Sequence, residues 1–172
     1  GLTVEINGGT LDLTASDDGI NAAGGNDNSG FGGPRGDAFG SASSSSYIKI
    51  TGGTVYVNAD GDGVDSNGSL EVSGGSLFVS GPTSNGDGAL DFDGNGIISA
   101  GTVIAVGSSG MAQNFGTSST QGSALISVGN RNASDKVTLT DEKGNVLAEY
   151  EPEKAYSTVV ISCPAMKQGG TY

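Results

Sequence analysis

Hydrophobic residues along this chain alternate with polar ones in short bursts, and the bursts recur. Val4/Ile6, Ile48/Ile50 and Leu70/Val72 form an early set. Leu11/Leu13, Val55/Val57, Leu77/Val79 and Val103/Ala105 form a late one. A period of two places each pair on one face of a short β-strand. A Gly-Gly or Ala-Gly pair separates early from late. Four segments align on it: VEINGGTLDLTASDDGINA (4–22), IKITGGTVYVNADGDGVDS (48–66), LEVSGGSLFVSGPTSNGDGALD (70–91) and IISAGTVIAVGSSGMAQ (97–113). The second glycines are Gly9, Gly53, Gly75 and Gly101, in steps of 44, 22 and 26 residues. The first step is two units of 22, its extra length a Gly/Ser-rich insertion at 24–46. The last step is one unit plus a turn insertion around Gly81-Pro82-Thr83-Ser84.

A third short stretch follows each Asp-Gly, with Ile20, Val64 and Ala89 as its inward residues. Glycine is too frequent for helices, and no helical apolar stripe appears. The pattern predicts an all-β parallel β-helix of about 22 residues per rung, because no single unit can bury its own apolar face. The glycine corners call for φ > 0 or for close stacking. The tail differs. Val137–Thr140 and Val146–Tyr150 flank a Gly-containing turn, a hairpin signal, and Tyr156–Ser162 reads as another strand. Residues 121–172 are therefore expected to form a C-terminal antiparallel β cap on rungs at 1–120, all one domain. Gly170-Thr171-Tyr172 looks like the start of one more strand. The chain opens at Gly1 without Met, as expected of a fragment or mature segment.

Charge narrows the function classes. Nineteen acids against seven bases leave the 172-residue chain at −12. That excludes nucleic-acid binding through a basic patch. The absence of His removes His-based metal sites and Ser-His-Asp triads. The single cysteine, Cys163, precludes an internal disulfide and sits in an apolar strand context, which favours burial. No apolar run reaches membrane-spanning length, so no membrane insertion is expected.

Eleven of the 13 Asp lie before residue 95. Stacking would bring Asp18, Asp62 and Asp87 into one column, with Asp17, Asp60, Asp65, Asp91, Asp93 and Asn21 along the same edge. Carboxylates about 4.8 Å apart repel by about 3–4 kcal/mol at an effective dielectric near 20. Oxygen-only ligands favour Ca²⁺. The competing reading is ordinary Asx turn chemistry, with the side chains capping backbone N–H groups.

Two further ladders follow from the alignment. Asp12, Tyr56, Phe78 and Ile104 point outward, and Tyr56 and Phe78 could stack on sugar rings. Alternatively the insertion, with Phe31, Phe39 and Tyr47, covers them. Glu5, Lys49 and Glu71 form a charge ladder that argues against Lys49 as a free base. The segment Gly107–Gln113 with Thr117–Gln121 fits a binding loop or a wide turn equally well.

The repeats, with GDGALDFDG (86–94) and GTVIAVGSSGMAQ (101–113), resemble a secreted bacterial family of carbohydrate-binding domain-containing proteins, found mainly in Gram-positive bacteria. The resemblance covers nearly the whole chain. It implies a right-handed parallel β-helix of pectate-lyase-like architecture, secretion or cell-surface location, bound Ca²⁺, and affinity for plant cell-wall polysaccharide such as polygalacturonate or cellulose. Only Asp17, Asp18, Asp60, Asp62, Asp65, Asp87, Asp91 and Asp93 carry over as calcium-site positions.

Three functional expectations result. The first is a non-catalytic, calcium-dependent module for acidic pectin, in which Ca²⁺ bridges protein and uronate carboxylates. The second is a calcium-dependent polysaccharide lyase or a hydrolase, for which bases are scarce: Lys49 is flanked by carboxylates and Arg35 lies in the insertion. The third is a calcium-stabilised segment of a cell-surface adhesin.

Overall fold

The computed structural model describes residues 1–22, 45–167 and 169–172. These residues form eleven strands and no helix. They are β1 (Thr3–Ala15), β2 (Ile20–Ala22), β3 (Tyr47–Ala59), β4 (Val64–Ser66), β5 (Ser69–Ser80), β6 (Leu90–Phe92), β7 (Gly96–Gly107), β8 (Ser123–Arg131), β9 (Val137–Thr140), β10 (Val146–Tyr150) and β11 (Tyr156–Ser162).

The early and late bursts of each repeat merge into one long strand. β1, β3, β5 and β7 lie side by side in parallel, and β2, β4 and β6 form a second parallel sheet. The register follows the sequence alignment: Leu11 pairs with Val55, Val55 with Leu77, and Leu77 with Val103. The ladder shifts register next to the glycine pairs of β1 and β5.

Both reasons for glycine hold at these corners. Gly9, Gly53, Gly75 and Gly101 have φ of 83°, 88°, 74° and 95°. A Cβ on Gly75 would lie 2.7 Å from the Gly52 carbonyl carbon and from the Gly53 oxygen, so the corners stack backbone on backbone. Gly9 begins the stack, and a Cβ there would meet nothing within 4 Å.

One core joins the two sheets. Ile48, Ile50, Val55, Val57, Leu70, Val72, Leu77 and Val79 from the long strands pack with Ile20, Val64 and Leu90 from the short ones. The alternation seen in the sequence is therefore inward burial, and stacking supplies the apolar contact that each unit lacks alone. The Asp-Gly glycines serve this core as well. A Cβ on Gly19 would strike the Val57 side chain, and one on Gly63 the Val79 side chain.

The third unit departs from the alignment by one residue. Leu90, not Ala89, pairs with Val64, and Ala89 lies buried beside it. Relative to the second unit, the third thus has three more residues ahead of its Asp-Gly and one more, Ala89, after it.

The end of the stack is closed by two devices. Over the late half of β7, β11 pairs antiparallel with Val103–Gly107, and β8 adds outside it. Over the early half, residues 116–121 supply backbone and side-chain partners. Gly116 N donates to Gly96 O and Thr120 N to Ile98 O, while Ile98 N donates to Ser119 Oγ. Gln121 Nε2 donates to Gly101 O and Ser162 Oγ, both at 2.8 Å. These contacts satisfy strand-edge groups that would otherwise need another strand. Of the segment that fitted a loop or a turn equally well, Thr117–Gln121 thus caps the β7 backbone. Gly110 also packs closely on Asn85.

The predicted tail strands are present at 137–140, 146–150 and 156–162. β9 and β10 pair antiparallel. In their turn, Asp141 accepts from Lys143 N and Asn145 N, and the Asn145 side chain holds the Asp141 carboxyl below its usual range. The sequence pattern missed β8, where Leu125 and Ile126 are adjacent and both exposed rather than alternating. The final residues do not start a strand: the Tyr172 hydroxyl folds back to donate to Ala165 O and to accept from Lys167 N. Cys163 is buried in the satellite core of β8–β11 with Ile104, Val159 and Ile161.

Candidate metal centre and aromatic groove

Parallel pairing of β2 with β4 and of β4 with β6 sets the acidic edge. Asn21 stands opposite Asp65, and Asp65 opposite Asp91. Just before these strands, Asp18 and Asp62 occupy equivalent turns of the first two units. Carboxylate oxygens of Asp18, Asp62 and Asp65 lie within 4.8 Å of one another. Asp65 is buried at 6 % exposure, while Asp18 and Asp62 are half-buried.

The same carboxylates bind backbone. Asp18 Oδ1 accepts from Asp62 N at 2.9 Å, and Asp62 Oδ1 accepts from Gly88 N at 2.5 Å. Asn21 Nδ2 donates to Asp18 Oδ2 at 2.6 Å. The Asx capping expected as the reading opposed to calcium is present, and it does not disperse the acidic cluster: Asp18 and Asp62 each cap the next unit and also face their neighbours. The electrostatic cost shows in Asp62. Burial pushes its carboxyl up to about 7; the Gly88 hydrogen bond opposes this, and Asp91, Asp18 and Asp87 add repulsion.

The donor set fits Ca²⁺. All three side chains offer hard oxygen. Two ligand oxygens on one Ca²⁺ can be separated by at most twice the Ca–O distance, about 5 Å, and the observed 4.8 Å limit lies inside it. Three carboxylates leave a deficit of positive charge that a divalent cation would offset.

Of the other predicted ligands, Asn21 contacts Asp18, and the remaining aspartates stand outside the converging triad. Gly88, not Asp87, takes the third place in the Asp18–Asp62 column, because Gly63 N donates to Gly88 O as Gly19 N does to Asp62 O. The column therefore holds two aspartates rather than three. Asp87 instead accepts from Ser84 Oγ at 2.8 Å. Asp60 is ion-paired with Lys154 Nζ at 3.0 Å and stands outside the triad. Asp17 and Asp93 are exposed and outside the triad, as is half-buried Asp91.

The outward ladder also forms as aligned, with Asp12 opposite Tyr56, Tyr56 opposite Phe78, and Phe78 opposite Ile104. The Tyr56 and Phe78 rings stack at 5.2 Å and 18°. A third ring, Tyr150 from β10, stacks on Phe78 at 5.2 Å and 27°. Ile104 is fully buried in the cluster that holds Leu139 of β9, Ala148 of β10 and Ile161 of β11. Cover for the ladder thus comes from the C-terminal hairpin. The alternative cover, by Phe31 and Phe39, lies outside the described residues, and Tyr47 instead donates its hydroxyl to Glu5 Oε1 at 2.6 Å.

The three rings line a groove of about 450 Å³ together with Asp12, Lys136, Glu149, Glu151 and Glu153. Its walls are tied down. Tyr150 OH lies 2.8 Å from Ser80 Oγ, which also accepts from Glu153 N. Asn58 Nδ2 donates to Glu153 Oε2 at 2.9 Å. Burial raises the Tyr150 hydroxyl, and Glu153, Tyr56 and Asp12 add to the rise against the Ser80 hydrogen bond. Tyr150 was not legible as part of this site, since its approach depends on where the hairpin docks.

The charge ladder is likewise in register. Lys49 sits between Glu5 and Glu71, 3.7 Å from Glu71 Oε2.

No family model, curated protein or solved structure matches this chain.

Proposed function

We propose that the chain is a non-catalytic, calcium-dependent carbohydrate-binding module of a secreted or cell-surface protein, built as a right-handed parallel β-helix. The parallel stacking of four bent strands beside a second parallel sheet supports that architecture. The acidic triad carries the functional reading. Three carboxylates, one of them buried, converge from two neighbouring units, where burial, with repulsion from nearby aspartates added, lifts the Asp62 carboxyl. Calcium seated there would keep coordination positions on the solvent side of Asp18 and Asp62. Ca²⁺ takes 6–8 oxygen ligands, more than three monodentate carboxylates provide.

Acidic pectin follows from charge. A chain at −12 repels polygalacturonate unless a cation joins them. Calcium bound by the triad converts uronate carboxylates from repelled groups into ligands. Retention on immobilised polygalacturonate is expected in millimolar Ca²⁺ and lost in EDTA. Retention unchanged by EDTA overturns the bridging mechanism.

The backbone hydrogen bonds of Asp18 and Asp62 favour one second reading, a calcium-stabilised structural segment. It gives calcium-dependent melting without glycan retention, so the same two measurements separate the pair.

A further inference from the structure

The geometry points to the Tyr56–Phe78–Tyr150 groove as a second ligand site, one that takes a polycationic amino-sugar chain such as β-linked glucosamine. It contains none of Asp18, Asp62 and Asp65 and does not rest on the calcium reading.

Three features select this ligand. The first is the ring stack. Phe78 is flanked by Tyr56 and Tyr150, so Tyr56 is the exposed ring at one end of the stack. Tyr56 is 37 % exposed, and the ladder places Asp12 on its side away from Phe78. A pyranose C–H face packs against such a ring, and an ammonium is attracted to its π-face.

The second feature is charge. Asp12, Glu149, Glu151 and Glu153 line the groove against a single lysine, Lys136, which is ion-paired with Glu149 at 3.6 Å. The lining is therefore strongly acidic and repels the uronates assigned to the triad. It is complementary to protonated amines spaced along a chain. A neutral glucan would satisfy the rings but leave the carboxylates without a counter-charge.

The third is the strand pairing at the centre of the groove: of the described strands that line it, only β1 and β10, at its margins, have an unpaired edge. β3 and β5, which carry Tyr56 and Phe78, are each paired on both sides in the six-stranded sheet. An extended basic peptide would find no backbone ladder to join at these strands, which disfavours the usual mode of strand addition.

The test is a titration of the intact chain with glucosamine hexamer at low salt and mildly acidic pH, with EDTA present. Tyrosine fluorescence serves as readout, since the chain has no Trp. Cellohexaose and hexalysine are the comparison ligands. The glucosamine hexamer is expected to bind about tenfold or more tightly than either, and to weaken as salt rises. Tyr56→Ala and, separately, Glu151→Gln should each weaken it severalfold. Glu151 is exposed, so its variant tests the charge without disturbing the core. Equal binding of cellohexaose, tighter binding of hexalysine, or no binding of the glucosamine hexamer overturns the proposal. EDTA abolishes the pectin interaction and leaves this one intact, so the two readings fail separately.

Discussion

Gly75→Ala is expected to destabilise the fold severely, while Gly9→Ala, at the same corner one end of the stack away, is expected to be mild. Both glycines have positive φ, 74° and 83°. A side chain in that region costs about 1–2 kcal/mol. At Gly9 the account ends there, because a new Cβ would meet open space. At Gly75 the methyl would press on the Gly52 carbonyl carbon and the Gly53 oxygen at 2.7 Å. Backbone has no rotamer with which to yield, so the strand must move and drag its ladder with it. Overpacking of this kind adds about 1–3 kcal/mol or more. The total is a large share of the roughly 5–15 kcal/mol that holds a typical domain together. Urea denaturation of the two variants checks the difference. Equal losses would mean that the corners need glycine for φ alone.

The second large effect concerns Asp62 and reverses sign with calcium. Without metal, its carboxyl titrates near 7 in the folded chain, against an ordinary value near 4 in the unfolded chain. The folded state holds the proton more tightly. That contribution to stability is complete below about pH 4 and is lost as pH rises through 7. Solvent at this half-exposed corner screens the effect, leaving about 2 kcal/mol. In EDTA the chain should therefore melt at a lower temperature at pH 8 than at pH 5, apart from what other groups contribute. Calcium needs ionised carboxylates, so millimolar Ca²⁺ should raise the melting temperature at pH 8 more than at pH 5. Asp62→Asn keeps an oxygen for Gly88 N and removes the charge. It should flatten the EDTA profile and remove most of the calcium response. A wild-type melting temperature at pH 8 that ignores calcium would remove the metal from this corner.

The different fates of the predicted acidic positions have a common physical origin. Asp18 and Asp62 follow the glycine corner at the same distance, so a regular repeat aligns them automatically. The turn insertion after Ser80 breaks that count. Asp87 looks equivalent because it also precedes a glycine, but the ladder places Gly88 there and leaves Asp87 to Ser84. Asp60 lies within the regular unit, yet Lys154 reaches it from 94 residues away along the chain. No local pattern encodes either outcome.

The sequence by itself determined the strand periodicity, the glycine corners, the columns of the long strands and the terminal hairpin. These depend on short-range alternation and on a repeat length that stacking converts directly into register. Only the tertiary structure decided where the C-terminal strands dock. That docking paired β11 with β7, buried Ile104 in the C-terminal cluster, set Tyr150 on Phe78 to complete the ring stack, and brought Lys154 to Asp60. It also decided which carboxylates meet. A one-residue offset in a turn costs little locally, but in a ladder it moves a charged group to a different neighbour.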